Sequence, residues 1–96
     1  MTPAFLVRTN AHFDRLARAL QKQHADFPDH LSQAVEILSI DPYNRTKAHG
    51  IKKLTGVDRG DGQYRLRSGR FRFRYDVYGK DVVLVYCGLR REDTYR

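Results

Sequence analysis

Arg65, Arg67, Arg70, Arg72 and Arg74 alternate with apolar residues in the stretch GQYRLRSGRFRFRYDV, Gly62 to Val77. A guanidinium group is a planar fork that meets two phosphate oxygens at once and stays charged at every physiological pH. Such a series suits neutralising the charge that builds up on a phosphate during its cleavage. It does not suit moving protons, because a group with a pKa above about 12 is a poor acid or base near neutrality.

The wider charge distribution points the same way. Residues 1–42 hold four basic and five acidic groups, net −1, while residues 43–96 hold fourteen and six, net +8. A basic half joined to a near-neutral half fits a polyanionic partner such as RNA, DNA, an acidic protein or an anionic surface. Solubility alone does not require the charges to gather on one hairpin.

The elements that must position these groups follow from periodicity. AFLVR, residues 4–8, suits a first strand. Thr9 or Asn10 can cap a helix whose Phe13, Leu16 and Leu20 form one apolar stripe and which ends near His24. A second helix starts in DFPDH, buries Leu31, Val35 and Leu38, and stops at Asp41-Pro42. DPYNRTKAHG reads as a flexible basic loop, IKKL as a possible short strand, and TGVDRGDG as a glycine-rich connection.

After Gly62 the period becomes two. Tyr64 and Leu66 point one way and Arg65 and Arg67 the other. Beyond a turn at Ser68-Gly69, Phe71, Phe73, Tyr75 and Val77 oppose Arg70, Arg72, Arg74 and Asp76. Tyr78-Gly79-Lys80-Asp81 turns into DVVLVYCG, apolar enough for a strand buried on both faces. The expected fold is α+β over residues 1–96 as a single domain: an N-terminal strand, a two-helix hairpin, then a mainly antiparallel sheet of three or four further strands. The helices cover one face, on which Phe73, Val83 and Val85 are expected to meet them. The other face is expected to be open and basic.

The stretch KKLTG, then GQYRLRSGRFRFRYDV, the apolar VVLVYCG and the terminal RREDTY together resemble the bacterial RelE/ParE toxin superfamily. Its members read K-L-x-G, Y-x-L-R-x-G-x-[YF]-R-[VL]-x-Y, an apolar strand and H-R-R-x-x-x-Y. The resemblance to the RelE branch implies this same fold, ribosome-dependent endonucleolytic cleavage of mRNA, and a cognate antitoxin that holds the toxin inactive in a hetero-oligomer. It places catalytic roles on Arg65, Arg72, Arg90 (or its neighbour Arg91) and Tyr95. Gln63 stands where many ribosome-dependent members hold a lysine, and Leu89 where histidine is common. Lys47, Lys52, Lys53, Arg67, Arg70, Arg74 and Arg91 are then expected to bind RNA or the ribosome through phosphate contacts. The antitoxin should be small and acidic to match the basic half.

Attack of a 2′-OH on the adjacent phosphate needs alignment, a base, neutralised charge and an acid for the leaving 5′-oxygen. The arginines supply the third. Tyr95, a phenol that guanidinium neighbours would acidify, and His49 are candidates for proton transfer, and the base and acid stay open between them. A site so short of proton carriers would gain most from a partner that aligns the substrate, which fits ribosome dependence. Two other readings use the same surface: a ParE-like toxin that poisons gyrase, and a non-catalytic nucleic-acid-binding relative.

Other chemistries lack their patterns. The four histidines have no metal-ligand spacing, GVDRGDG lacks the full calcium-loop pattern, and no phosphate-loop or dinucleotide fingerprint occurs, so neither metal nor cofactor is expected. Cys87 reads as a small buried hydrophobe. No apolar run is long enough to span a bilayer and the N-terminus does not read as a signal peptide, so a cytoplasmic location is expected.

Overall fold

The computed structural model describes residues 4–90. The chain runs β1 (Leu6–Thr9), α1 (Ala11–Gln23), α2 (Phe27–Ile40), β2 (Ile51–Lys53), β3 (Tyr64–Ser68), β4 (Phe71–Tyr78) and β5 (Asp81–Leu89). The strands form one sheet in the order β1-β5-β4-β3-β2, with β1 parallel to β5 and every other pair antiparallel. This is the expected α+β order with four strands after the helices. No helix among the described residues is long and apolar enough to cross a membrane.

The helix boundaries follow local chemistry. Asn10 has extended backbone and its side-chain oxygen accepts from the Phe13 N–H at 2.8 Å, which satisfies one orphan donor of the first turn. The α2 start has Pro28 in its first turn but no side-chain cap, because the Asp26 carboxylate is committed to Arg70 at 2.8 Å. Phe13, Phe27, Ala34 and Leu38 are buried from the helix side, against Leu66, Phe71, Phe73, Tyr75 and Leu84 of the sheet. Phe27 sits edge-on to Phe71 and stacks on Phe73, with centroids 5.2 and 6.0 Å apart. Each such buried ring contributes on the order of 2 kcal/mol.

Three expectations about side-chain direction need correction. Val35 is 37% exposed; α2 turns Ala34 rather than Val35 to the sheet, and the small side chain there allows close approach. The β3–β4 turn is Gly69–Arg70, since Ser68 pairs with Phe71. Gly69 has φ of 59°, as the first position of a type II′ turn requires. Finally, Val82, Leu84 and Cys87 face the helices, while Val83 and Val85 are only half-buried on the other face.

The last shift has a specific cause. Arg74 pairs with Tyr86 but Tyr75 pairs with Leu84, so Val85 is skipped and β5 carries a bulge. An unbroken alternation from Leu84 would send Tyr86 inward. The extra residue instead turns Tyr86 to the arginine side and Cys87 into the core. Burial pushes the Cys87 thiol up to about 12, which leaves it protonated and inert near neutrality.

The basic segment after α2 is not the flexible loop its composition predicts. The Asp41 carboxylate accepts from the Arg45 N–H (2.8 Å), the Thr46 N–H (3.3 Å) and the Thr46 hydroxyl (2.7 Å). The Asn44 side chain accepts from the His49 N–H and donates to its carbonyl, and the Tyr75 hydroxyl donates to the Pro42 carbonyl at 2.6 Å.

Burial by itself would raise the Asp41 carboxyl; the Thr46 hydroxyl and the Arg45 and Thr46 N–H groups outweigh it and hold it below its ordinary value. A carboxyl lowered by folding stabilises the fold above its unfolded-state pKa, and that contribution disappears as pH falls through the folded value. The urea midpoint of the wild type should therefore fall between about pH 5 and pH 3, and fall less steeply in Asp41→Asn. Superimposable acid limbs for the two proteins would show that Asp41 does not contribute.

Candidate nucleic-acid interface

The pairing register converts the alternating arginines into two transverse rows. Lys52 pairs with Arg65, Arg65 with Arg74 and Arg74 with Tyr86, which makes one row across four strands. Arg67 pairs with Arg72 and Arg72 with Gly88, which makes the second. Both lie on the face opposite the helices, since Leu66, Phe71 and Phe73 between them are fully buried. Like charges directly opposite one another destabilise a sheet. Two arginine–arginine pairs and one lysine–arginine pair face one another in these rows.

This face is not fully open, contrary to the expectation of a bare sheet. The connection between β2 and β3 folds back across it, closed at its base by the Leu54 N–H donating to the Gln63 carbonyl at 2.7 Å. Asp76, completely buried, accepts from the Gly62 and Gln63 N–H groups at 3.0 and 2.9 Å. Arg74 returns the contact by donating from Nε and Nη2 to the Gly62 carbonyl, at 3.2 and 3.1 Å. Gly62 has φ of 84°, and a Cβ there would sit 2.9 Å from the Arg74 Cβ and 3.0 Å from Val85. Only glycine allows the strand and the connection to approach so closely.

Between the connection and the rows lies a cleft of about 480 Å³ lined by Lys52, Leu54, Thr55, Val57, Arg65, Arg72 and Arg74. It has cations on its floor and an apolar rim on one side. A phosphate entering it meets guanidinium groups carried by two adjacent strands, fixed by a sheet rather than by mobile loops.

The structure brings some sequence-derived candidates together and separates others. Arg65, Arg72, Arg74 and Lys52 share the main cleft, and Arg67 lines a smaller one beside it with Lys52 and Arg65. Lys53 points away, its ammonium 5.8 Å from the Tyr64 ring centroid. Arg70 lies in the hairpin turn, ion-paired with Asp26. Lys47 is exposed in the closed loop after α2, and Nε2 of His49 lies 3.8 Å from Asp41. Arg90 follows β5 directly, its N–H donating to the Arg70 carbonyl at 2.9 Å. Arg91 and Tyr95 lie outside the described residues.

Residues that the sequence reading passed over also build this site. Asp76 is an acid in an arginine-rich strand, and its position in the alternation placed it on the outer face without revealing its partners. Tyr86 reaches that face only through the bulge. Asp76→Ala removes the hydrogen bonds that the Gly62 and Gln63 N–H groups make to its carboxylate. It should lower unfolding stability by about 3 kcal/mol and raise amide exchange at Gly62 and Gln63; unchanged exchange there would mean that Asp76 does not anchor the connection.

Neither a protein-family model nor a curated protein sequence matches the chain. Solved structures do. The crystal structure of the E. coli DinJ–YafQ toxin–antitoxin complex matches with a TM-score of 0.72 at 13% identity, over 95% of this chain and 98% of the other. YafQ from E. coli strain BL21(DE3) matches at 0.69 and 13% identity, over 92% and 96%. The archaeal RelE–RelB complex from Pyrococcus horikoshii OT3 matches at 0.66 and 23% identity, over 91% and 96%. Near-complete coverage in both directions gives this chain the RelE-like fold.

Proposed function

We propose that the protein is the toxin of a type II toxin–antitoxin system and cleaves mRNA on the ribosome. The observation that carries this reading is the pair of cationic rows around the 480 Å³ cleft, in which like charges face each other across β2, β3 and β4. The fold neighbours described as toxin–antitoxin complexes support the same reading.

In the proposed reaction the 2′-oxygen of one nucleotide attacks its own 3′-phosphate. The new O–P bond forms a 2′,3′-cyclic phosphate, the P–O5′ bond breaks, and the next nucleotide leaves with a 5′-OH. The 2′-OH proton goes to a base and the leaving oxygen takes one from an acid. Arg65 and Arg72, carried on the adjacent strands β3 and β4 and lining one cleft, neutralise the non-bridging oxygens as charge builds up. Arg90, two residues beyond Gly88 in the Arg67–Arg72 row, adds charge at that end. Tyr95 is assigned proton transfer. Lys52 and Arg67 grip flanking phosphates, and the ribosome supplies the alignment that such a site lacks. A small acidic antitoxin covers the basic face in the resting complex.

The test is to map 5′ ends of a reporter transcript in a translating extract. Wild-type protein should generate new 5′-OH ends within the coding sequence. Arg72→Ala should slow cleavage by roughly a hundredfold or more, the loss of one preorganised donor. Tyr95→Phe should slow cleavage while ribosome binding stays unchanged, as for an interaction made only in the transition state. Intact transcripts accompanied by protein-linked DNA breaks would replace this reading with gyrase poisoning.

A further inference from the structure

The helix side of the molecule carries a second basic surface, which the near-neutral charge sum of residues 1–42 conceals. Arg15, Arg18 and Lys22 of α1 are all exposed. At about 3.6 residues per turn they fall within roughly 60° of one another, opposite the stripe of Phe13, Leu16 and Leu20 that packs into the core. Among the described residues none of the three is ion-paired; the cations that are paired there are Arg8, His30, His49 and Arg70. Asp14, the acid of α1, is half-buried in the first turn, where the helix dipole favours it.

The neighbouring helix has the opposite sign. The exposed charged residues of α2 are Asp29 and Glu36, and it contains no lysine or arginine. The dipole accounts for Lys22 in the last turn of α1, but not for Arg15 and Arg18 in the middle. The surface also lacks the apolar anchor on which a protein interface is built. The large exposed hydrophobic side chains are Leu6, Val35, Ile40, Tyr43 and Tyr78, none of them on α1. Phe13, the one phenyl ring of α1, is buried and offers nothing for an unpaired base to stack on. What remains is a row of cations along about 10 Å of helix, flanked by the exposed Ala11 and Ala19, which keep the approach open. That chemistry reads a phosphate backbone by charge and shape, as base-paired RNA is read.

We propose that the outer face of α1 docks on the phosphate backbone of a base-paired RNA helix, separate from the strand held in the main cleft. The two surfaces face opposite ways with α1 and the sheet between them, so one short single strand does not reach both. A ribosome presents both kinds of RNA at once, a messenger strand for the cleft and structured ribosomal RNA beside it. The inference rests on the reading that the arginine face cleaves mRNA on the ribosome, and it adds a surface that grips the ribosome and so orients the cleft.

The test compares the full-length wild type with the Arg15→Gln/Arg18→Gln/Lys22→Gln variant, in which glutamine keeps helix propensity. Binding to bacterial ribosomes carrying a 2′-O-methyl mRNA, which blocks cleavage, is read by co-sedimentation over a series of salt concentrations. The variant should bind roughly tenfold or more weakly, and its plot of log affinity against log salt should be shallower by roughly two to three. Both proteins should bind a fluorescein-labelled 2′-O-methyl pentaribonucleotide equally by anisotropy, because the stripe lies beyond a Debye length of the cleft at physiological salt; this arm also shows that the variant is folded. Equal ribosome binding overturns the docking surface and leaves the nuclease reading standing; if the variant then fails to co-purify with an acidic protein that the wild type retains, the stripe belongs to that protein. An equal loss on the pentaribonucleotide also overturns it, since the stripe then acts only through the overall field of the molecule. A wild type that binds the pentaribonucleotide but not ribosomes overturns both the docking surface and the ribosome-directed reading.

Discussion

The register between β3 and β4 is the constraint on which everything else depends. With Leu66 opposite Phe73 and Arg67 opposite Arg72, one face of the hairpin is core and the other is cationic apart from Asp76. A slip of one residue would drive guanidinium groups against Phe27 and Leu38 and expose the aromatic side. Several contacts hold the register at the turn. Gly69 takes the left-handed conformation, the Ser68 hydroxyl bonds His30 Nδ1 at 2.8 Å, and Arg70 pairs with Asp26. The hairpin tip is thereby tied to the start of α2.

Once the register is fixed, the outer face has a conflict that folding alone would not create. Rows of like charge oppose sheet formation, and the protein offsets this with the helix-side aromatic core. It also adds one buried acid, Asp76, which is used up in holding the connection after β2. That connection converts a flat cationic surface into a cleft with walls. The bulge in β5 then supplies the aromatic ring that the strand alternation would have hidden.

Much of this was legible because the signals were local. Alternation of arginine with aromatic residues fixed both faces of β3 and β4, Asn10 announced the start of α1, and Gly79 the second hairpin. The misplacements arose where two local choices looked alike. Val82 to Val85 are all apolar, so nothing in the stretch marks which valines face the helices, and a bulge depends on sheet twist rather than on residue type. In α2, Val35 fits an apolar stripe as well as Ala34 does, and the choice was settled by how closely the helix approaches the sheet. The covering of the outer face by residues 54–63 depends on Asp76 reaching Gly62 across the sheet, a long-range contact with no sequence period. The RelE-like order of elements was readable from the whole chain, whereas the placement of Tyr86 on the arginine face depends on the β5 bulge.

The central claim is that the arginine rows are kept for a polyanion at some cost to the fold. Urea unfolding of the wild type and of the Arg67→Thr variant, each with and without a short non-cleavable RNA, tests it in one measurement. Without RNA the variant should be at least as stable as the wild type, because the exposed Arg67, which faces Arg72 across the strands, has been replaced by a good strand former. With RNA the wild type should gain stability and the variant gain much less, as linkage requires of a ligand bound through those groups. A variant less stable than wild type without RNA, or an equal gain for both proteins with it, would contradict the account.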